Sequence, residues 1–179
     1  MKLVHLLPVG DVDAALLEGL CSAIPRSFQV CCQILPAALD PRSCYHPERQ
    51  QYHSSEILQQ MQSYAGPQPG RVLGIAGIDL YIPILKYVFG EAQMGGSCAV
   101  VSAYRLRQEF YGLPPDGALL RQRLLKETVH ELGHTFGLRH CTDYRCAMAS
   151  AHAVEWIDIR ESSLCESCQA QVLQEEKAG

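Results

Sequence analysis

What this sequence lacks narrows it before any motif is read. None of its apolar runs approaches the length of a membrane-spanning helix, so no bilayer-embedded segment is expected. Positive charge is in short supply. The 15 Lys and Arg against 19 Asp and Glu leave a formal net charge of −4, whereas general attraction to nucleic acid needs concentrated Lys and Arg. No internal repeat and no low-complexity tract interrupts the chain. Nor does Met1 to Gly10 read as an export signal, because its apolar run is short, His5 breaks it, and Asp11 and Asp13 follow without a small-residue cleavage site. It reads as a first strand, and the expected compartment is the cytoplasm.

What remains is an ordinary globular composition, with 47% hydrophobic and 19% charged residues. At 179 residues the chain is long enough to bury a core without disulfides, so residues 1–179 are expected to form a single domain, by default a monomer. Nine cysteines in a reducing compartment more often bind metal than pair with one another.

Leu3 to Val9 reads as a buried strand, Asp11 to Leu20 as a helix with an acidic first turn, and Phe28 to Leu35 as a second strand, which is a parallel crossover unit. Pro36 to Gln51 reads as a loop. A helix is expected from about Ser54 to Tyr64, capped by Ser54 or Ser55 with Glu56 in its first turn, and stopped by Gly66-Pro67-Gln68-Pro69-Gly70. Arg71 to Ile78 and Cys98 to Tyr104 are further strands, and Phe89 to Met94 can pair with the latter as an edge hairpin through Gly95-Gly96. Pro114-Pro115-Asp116 then opens a long helix. Its basic run Arg121 to Lys126 reads as a solvated face, and Glu161 to Lys177 as a terminal helix.

The chemistry is concentrated near the end of the long helix, where His130-Glu131-Leu132-Gly133-His134-Thr135-Phe136-Gly137-Leu138-Arg139-His140 reads HExxHxxGxxH. From the chain's own composition even HExxH is expected by chance only about 0.02 times. His130 and His134, four apart, project from one helical face toward a single ion. Gly137 suits the left-handed turn that ends the helix and returns His140 as third ligand. Three neutral imidazoles leave a zinc ion with an open position, the arrangement of a catalytic site. The implied chemistry is hydrolysis, with water acidified by the ion and Glu131 as the base that takes its proton and hands it to the leaving amine.

A second group starts at the next residue. Cys141 and Cys146 are followed by Cys165 and Cys168, two pairs spaced as in closed four-thiolate zinc sites. Such a site over 141–168 is expected to tie the loop after His140 to the terminal helix and to stabilise the fold. Two zinc ions per chain, one catalytic and one structural, are therefore expected. Cys21, Cys31, Cys32, Cys44 and Cys98 lack ligand spacing and read as core or incidental cysteines.

The run His130, Glu131, His134, Gly137, His140, Cys141, Cys146, Met148, then Cys165 and Cys168, resembles the archaemetzincins, a family of metzincin metallopeptidases. Asp79-Leu80-Tyr81 and Phe89 to Ala92 also look like family segments, so the resemblance extends from about Val72 onward. It implies a compact α/β zincin domain: a twisted mixed sheet with an antiparallel edge strand packed on helices, the motif on an active-site helix, and a C-terminal helix tied by the cysteine zinc site. Met148 resembles the methionine that underlies the histidines in metzincins without ligating. The implied activity is zinc-dependent peptide hydrolysis, on amino termini among other possible modes. Phe89, Gly90, Glu91 and Ala92 are candidate substrate-binding residues, because an extended peptide can add to an unpaired strand. Two readings stay open beside this one. A three-histidine zinc ribonuclease would lack the glutamate after the first histidine, and a zinc-stabilised interaction module with an inactive site would have no need of Glu131.

Overall fold

The computed structural model describes residues 2–65 and 70–178. Of the glycine-proline stop expected at 66–70, residues 66–69 lie outside them, and Gly70 already belongs to a strand. Strand β1 (Lys2–Val9) leads into helix α1 (Ala14–Ser27) and returns as β2 (Val30–Ile34), which pairs parallel with β1 as expected of a crossover unit. The helix begins three residues later than Asp11 and runs well beyond Leu20. Its first turn holds no acidic residue, because Asp13 is instead the N-cap and accepts from Ala15 N at 2.9 Å.

Pro36 to Gln51 is not simply a loop. It contains the two-residue strand β3 (Tyr45–His46), antiparallel to β4 (Gln51–His53), and β4 pairs in parallel with β6 (Leu80–Tyr81) in a small separate sheet. Helix α2 (Ser54–Met61) follows with His53 at the N-cap and no side-chain cap, so neither serine has the capping role expected of it. Glu56 does stand in its first turn.

Strand β5 (Gly70–Ala76) adds to β1, β8 (Cys98–Ser102) adds to β5, and β7 (Gly90–Ala92) closes the sheet in the order β2-β1-β5-β8-β7. Four of these strands run parallel, and β7 is the antiparallel edge, joined to β8 through the Gly95-Gly96 turn as expected. Side chains on β8 alternate between two cores. Ala99 and Val101 face α1 and helix α3 (Gly117–Thr135), while Cys98 and Val100 face Ile57, Leu58 and Met61 of α2. The sheet is thus covered on both sides, and the antiparallel edge lies against the end of α3.

Asp116 caps α3 by accepting from Leu119 N at 2.9 Å. The basic run on this helix is not solvated throughout. Arg123 is buried against Asp158 and the Leu106 carbonyl, and Lys126 donates to the carbonyls of Ile157 and Asp158. Both residues thus hold the end of a short helix that the sequence did not announce, α4 (Val154–Ile159), in keeping with the preference of cations for helix C-termini. The terminal helix α5 (Glu166–Ala178) starts later than Glu161. Among the described residues no helix is long and apolar enough to cross a membrane.

Candidate active site

Helix α3 brings His130 and His134 to one face, and their Nε2 atoms lie 3.1 Å apart. The helix ends at Thr135, Gly137 takes a left-handed φ of 79°, and the chain turns back so that the His140 ring lies 5.2 Å from His130 and 5.1 Å from His134. The ligand atoms of all three imidazoles fall within 4.8 Å of one another. A tetrahedral ion with Zn–N bonds near 2.05 Å would separate its nitrogens by about 3.4 Å, so this group fits a metal.

The other ring nitrogens are already committed. His134 Nδ1 lies 2.7 Å from the Leu138 carbonyl, and His130 Nδ1 lies 2.8 Å from that of Ala147. With the proton on Nδ1 donated to those carbonyls, each Nε2 keeps its lone pair for an ion. Burial, helped by the positive charge of Arg160 and by the neighbouring imidazoles, holds His130 well below the ordinary histidine range, and His134 and His140 are lowered too. Neutral imidazole is the ligating form.

Behind His130 stands a pair that the motif does not mention. Arg160, which follows α4, donates through Nη2 to Glu127 of α3, and both side chains are buried. Its Nη1 donates to the Ala149 carbonyl at 2.7 Å and to that of Ala147 at 3.2 Å, and it also lies 2.8 Å from His130 Nδ1 itself. Arg160 therefore fixes the carbonyl that orients His130. Glu127 could have been suspected from spacing, since Glu127, His130, Glu131 and His134 follow the three- and four-residue steps of one helical face. Arg160, 33 residues further on, has no such local signal.

Glu131 is buried beside these groups. Loss of solvent, with Glu127 and Glu91 nearby, raises its carboxyl well above the usual range, and Arg160 opposes part of that. It packs against the edge strand so closely that a Cβ on Gly90 would come within 2.6 Å of Glu131 Cγ. Met148 is fully buried under the same helix, where a Cβ on Gly133 would collide with its sulfur. Histidines and glutamate open onto a cleft of about 820 Å³, lined also by Phe89, Gly90, Glu91 and Ala92 of the edge segment. Phe89 is mostly buried, and the Glu91 carboxylate accepts from Ser54 Oγ at 2.5 Å and Ser55 Oγ at 2.7 Å. Ser150 lines the cleft too, whereas Tyr144 is exposed and is not part of its wall.

The four clustered cysteines converge as well. Cys141 Sγ lies 3.8 Å from Cys165 Sγ, and Cys146 Sγ lies 3.8 Å from Cys168 Sγ. A tetrahedron with metal–sulfur bonds of 2.3 Å has edges of about 3.8 Å, so these sulfurs are spaced as ligands of one ion, not as disulfides. Backbone N–H groups of Met148 and Cys165 point at Cys146 Sγ, at 3.4 and 3.3 Å, which suits a thiolate there. Of the other cysteines, Cys44 and Cys98 are core residues, Cys21 and Cys32 are partly buried, and Cys31 is exposed.

A mixed α/β sheet with an antiparallel edge strand over a helix carrying two histidines and a glutamate defines a zincin-type zinc metallopeptidase. The chain belongs to the archaemetzincins, Peptidase family M54, whose family model matches residues 43–174. The match begins well before Val72, so the resemblance legible in the motifs understated its extent. An archaemetzincin of Methanocaldococcus jannaschii is 38% identical over 161 residues, 90% of this chain and 87% of that one. The crystal structure of the Archaeoglobus fulgidus archaemetzincin complexed with malonate superposes with a TM-score of 0.82 at 34% identity, covering 95% of this chain and 99% of that one. A zinc-dependent peptidase from Methanocorpusculum labreanum gives 0.86 at 26% identity, covering 94% and 99%.

Proposed function

We propose that residues 1–179 act as one metzincin-like peptidase unit in which His130, His134 and His140 hold a catalytic zinc, Glu131 is the general base, and Cys141, Cys146, Cys165 and Cys168 hold a structural zinc. The observation that carries this reading is the convergence of three Nε2-bearing rings and Glu131 in one open cleft below a free strand edge. When bound, the catalytic ion supplies Lewis acidity, which makes water more acidic and polarises a carbonyl. Glu131 takes the proton of the attacking water and returns it to the departing amine. Gly90 and the base of the cleft keep that carboxylate in place and largely dry. Arg160 and Glu127 orient the His130 ring through the Ala147 carbonyl, and Met148 supports the helix from below.

The substrate is a peptide lying extended along β7, its main chain pairing with the strand's free edge and its carbonyl directed at the histidines. Glu91 beside Glu131 makes this part of the cleft acidic, which favours a peptide's ammonium and hence trimming from the amino end. Access to the cleft weighs against an inactive module, and Glu131 weighs against a ribonuclease.

The test is cleavage of a mixed peptide library by zinc-loaded protein, read by mass spectrometry, with tightly held zinc counted in wild type and Glu131→Ala. Two retained zincs in both proteins, with cutting only by wild type and mainly at amino termini, is the expected result. Equal cutting by both would remove Glu131 from the mechanism, and cuts confined to peptide interiors would remove amino-terminal trimming.

A further inference from the structure

Outside the cleft, three side chains from the short hairpin and α2 turn their ligand atoms toward one another. His46 ends β3, His53 ends β4 and precedes α2, and Glu56 lies in the first turn of α2. Their ligand atoms all fall within 4.8 Å of one another. A single oxygen, Glu56 Oε1, is 3.1 Å from His53 Nδ1 and 3.5 Å from His46 Nε2.

The shorter of these approaches does not have hydrogen-bond geometry. Both ring nitrogens of His53 are shielded from solvent, and Nδ1 meets Glu56 at ion-pair distance without a good donor direction. Shielded polar atoms in folded proteins are nearly always satisfied, and an ion held between these side chains would satisfy Nδ1 fully. Packing accounts for where the rings lie, since His53 stacks on Tyr81 with centroids 5.1 Å apart and His46 meets the same ring edge-on at 5.6 Å. Two nitrogens converging on one carboxylate oxygen is an arrangement that either a pair of ion pairs or a shared cation produces, and titration with metal separates the two. Ligands around a tetrahedral ion with bonds near 2.05 Å are about 3.4 Å apart, which the observed 3.1 and 3.5 Å bracket. Arg49, whose guanidinium lies over Tyr81, is engaged by the carbonyls of Leu85 and Lys86.

We propose that His46, His53 and Glu56 form a third metal site, taking a divalent ion of the zinc or nickel class. Two imidazoles and one carboxylate suit that class, while the partial exposure of His46 and Glu56 makes the ion exchangeable, unlike one on four thiolates. The ion would clip the hairpin to the start of α2. Between His53 and Glu56 stand Ser54 and Ser55, the two hydroxyls that hold Glu91 at the cleft, so the clip fixes the platform from which Glu91 is positioned.

Tag-free full-length protein carrying its two tight zincs would be titrated with NiCl2 and, separately, ZnCl2 in a calorimeter, alongside His46→Gln, Glu56→Gln and, as a control histidine, His5→Gln. The expected result is one additional equivalent in wild type and His5→Gln, weakened at least tenfold in the other two variants, with the tight zinc count unchanged. On wild type alone, nitrogen-15 spectra of the imidazoles should shift at His46 and His53 when this equivalent of zinc is added, which does not depend on any variant folding. No third equivalent, equal uptake by His46→Gln and Glu56→Gln, or shifts falling on other histidines would overturn the proposal. None of these readouts depends on peptidase activity.

Discussion

Gly90 and Gly133, the two glycines pressed against residues of the candidate active site, are expected to fail in different ways. Gly90→Ala puts a methyl group against Glu131 and the Val100 carbonyl, so the carboxylate must move while the histidines need not. A fall in kcat of at least tenfold with tight zinc retained is expected, measured by steady-state cleavage and metal analysis together. Gly133→Ala instead drives a methyl group into Met148, and overpacking of this kind costs about 1–3 kcal/mol. Urea unfolding should show that loss. The Arg160–Glu127 pair is more demanding. Removing one partner of a buried pair leaves an uncompensated charge, so Arg160→Met is expected to cost about 3–5 kcal/mol, and the double change with Glu127→Leu less than the sum of the single ones. Denaturant midpoints of all three variants check this. At this scale the sequence was legible where chemistry demands a residue type at fixed spacing, as at His130, Glu131 and His134. It was silent on Arg160, because a contact across 33 residues leaves no local pattern.

Among the elements, legibility followed length and punctuation. The 19 residues of α3 carry an apolar stripe and are preceded by a proline pair and an N-cap, and each of these is visible in the chain. The cap is exposed and separable from packing, so Asp116→Ala should cost about 1 kcal/mol in thermal or urea unfolding, with peptide cleavage unaffected. The strands β3, β4 and β6 have two or three residues each, too few for any period to be read. In the sequence their residues accordingly read as loop or as no strand at all, although they carry the hairpin beside α2. The first turn of α2 illustrates a different failure. Ser54 and Ser55 have the composition of caps, but tertiary contacts claim them, since both donate to Glu91 and Ser54 Oγ also lies 3.1 Å from the Tyr81 carbonyl. Likewise the basic run on α3 resembles a solvated face until α4, with only six residues, packs against it.

For the molecule as a whole, the cysteine cluster joins the loop after His140 to α5 and lends Cys146 and Cys168 to the core that α1 and α3 share with the sheet, while the sheet itself and the core under α2 are built from other residues. Cys165→Ser should therefore lose one zinc and raise hydrogen exchange across 141–178, leaving β1, β5 and β8 protected. A uniform loss of protection would show that the cluster supports the entire fold. The two expected ions also share a covalent neighbour, because His140 belongs to one group and Cys141 to the other. The Cα atoms of successive residues are about 3.8 Å apart, so a displacement of either is felt by the next. Filling the thiolate site removes freedom from the loop that must deliver the third imidazole, and by reciprocity the imidazole site tightens the thiolate one. Loading of the two proposed sites is then expected to be cooperative. Activity plotted against free zinc should rise more steeply than a simple binding curve, so that the enzyme is switched on across a narrow interval of metal supply instead of gradually along it.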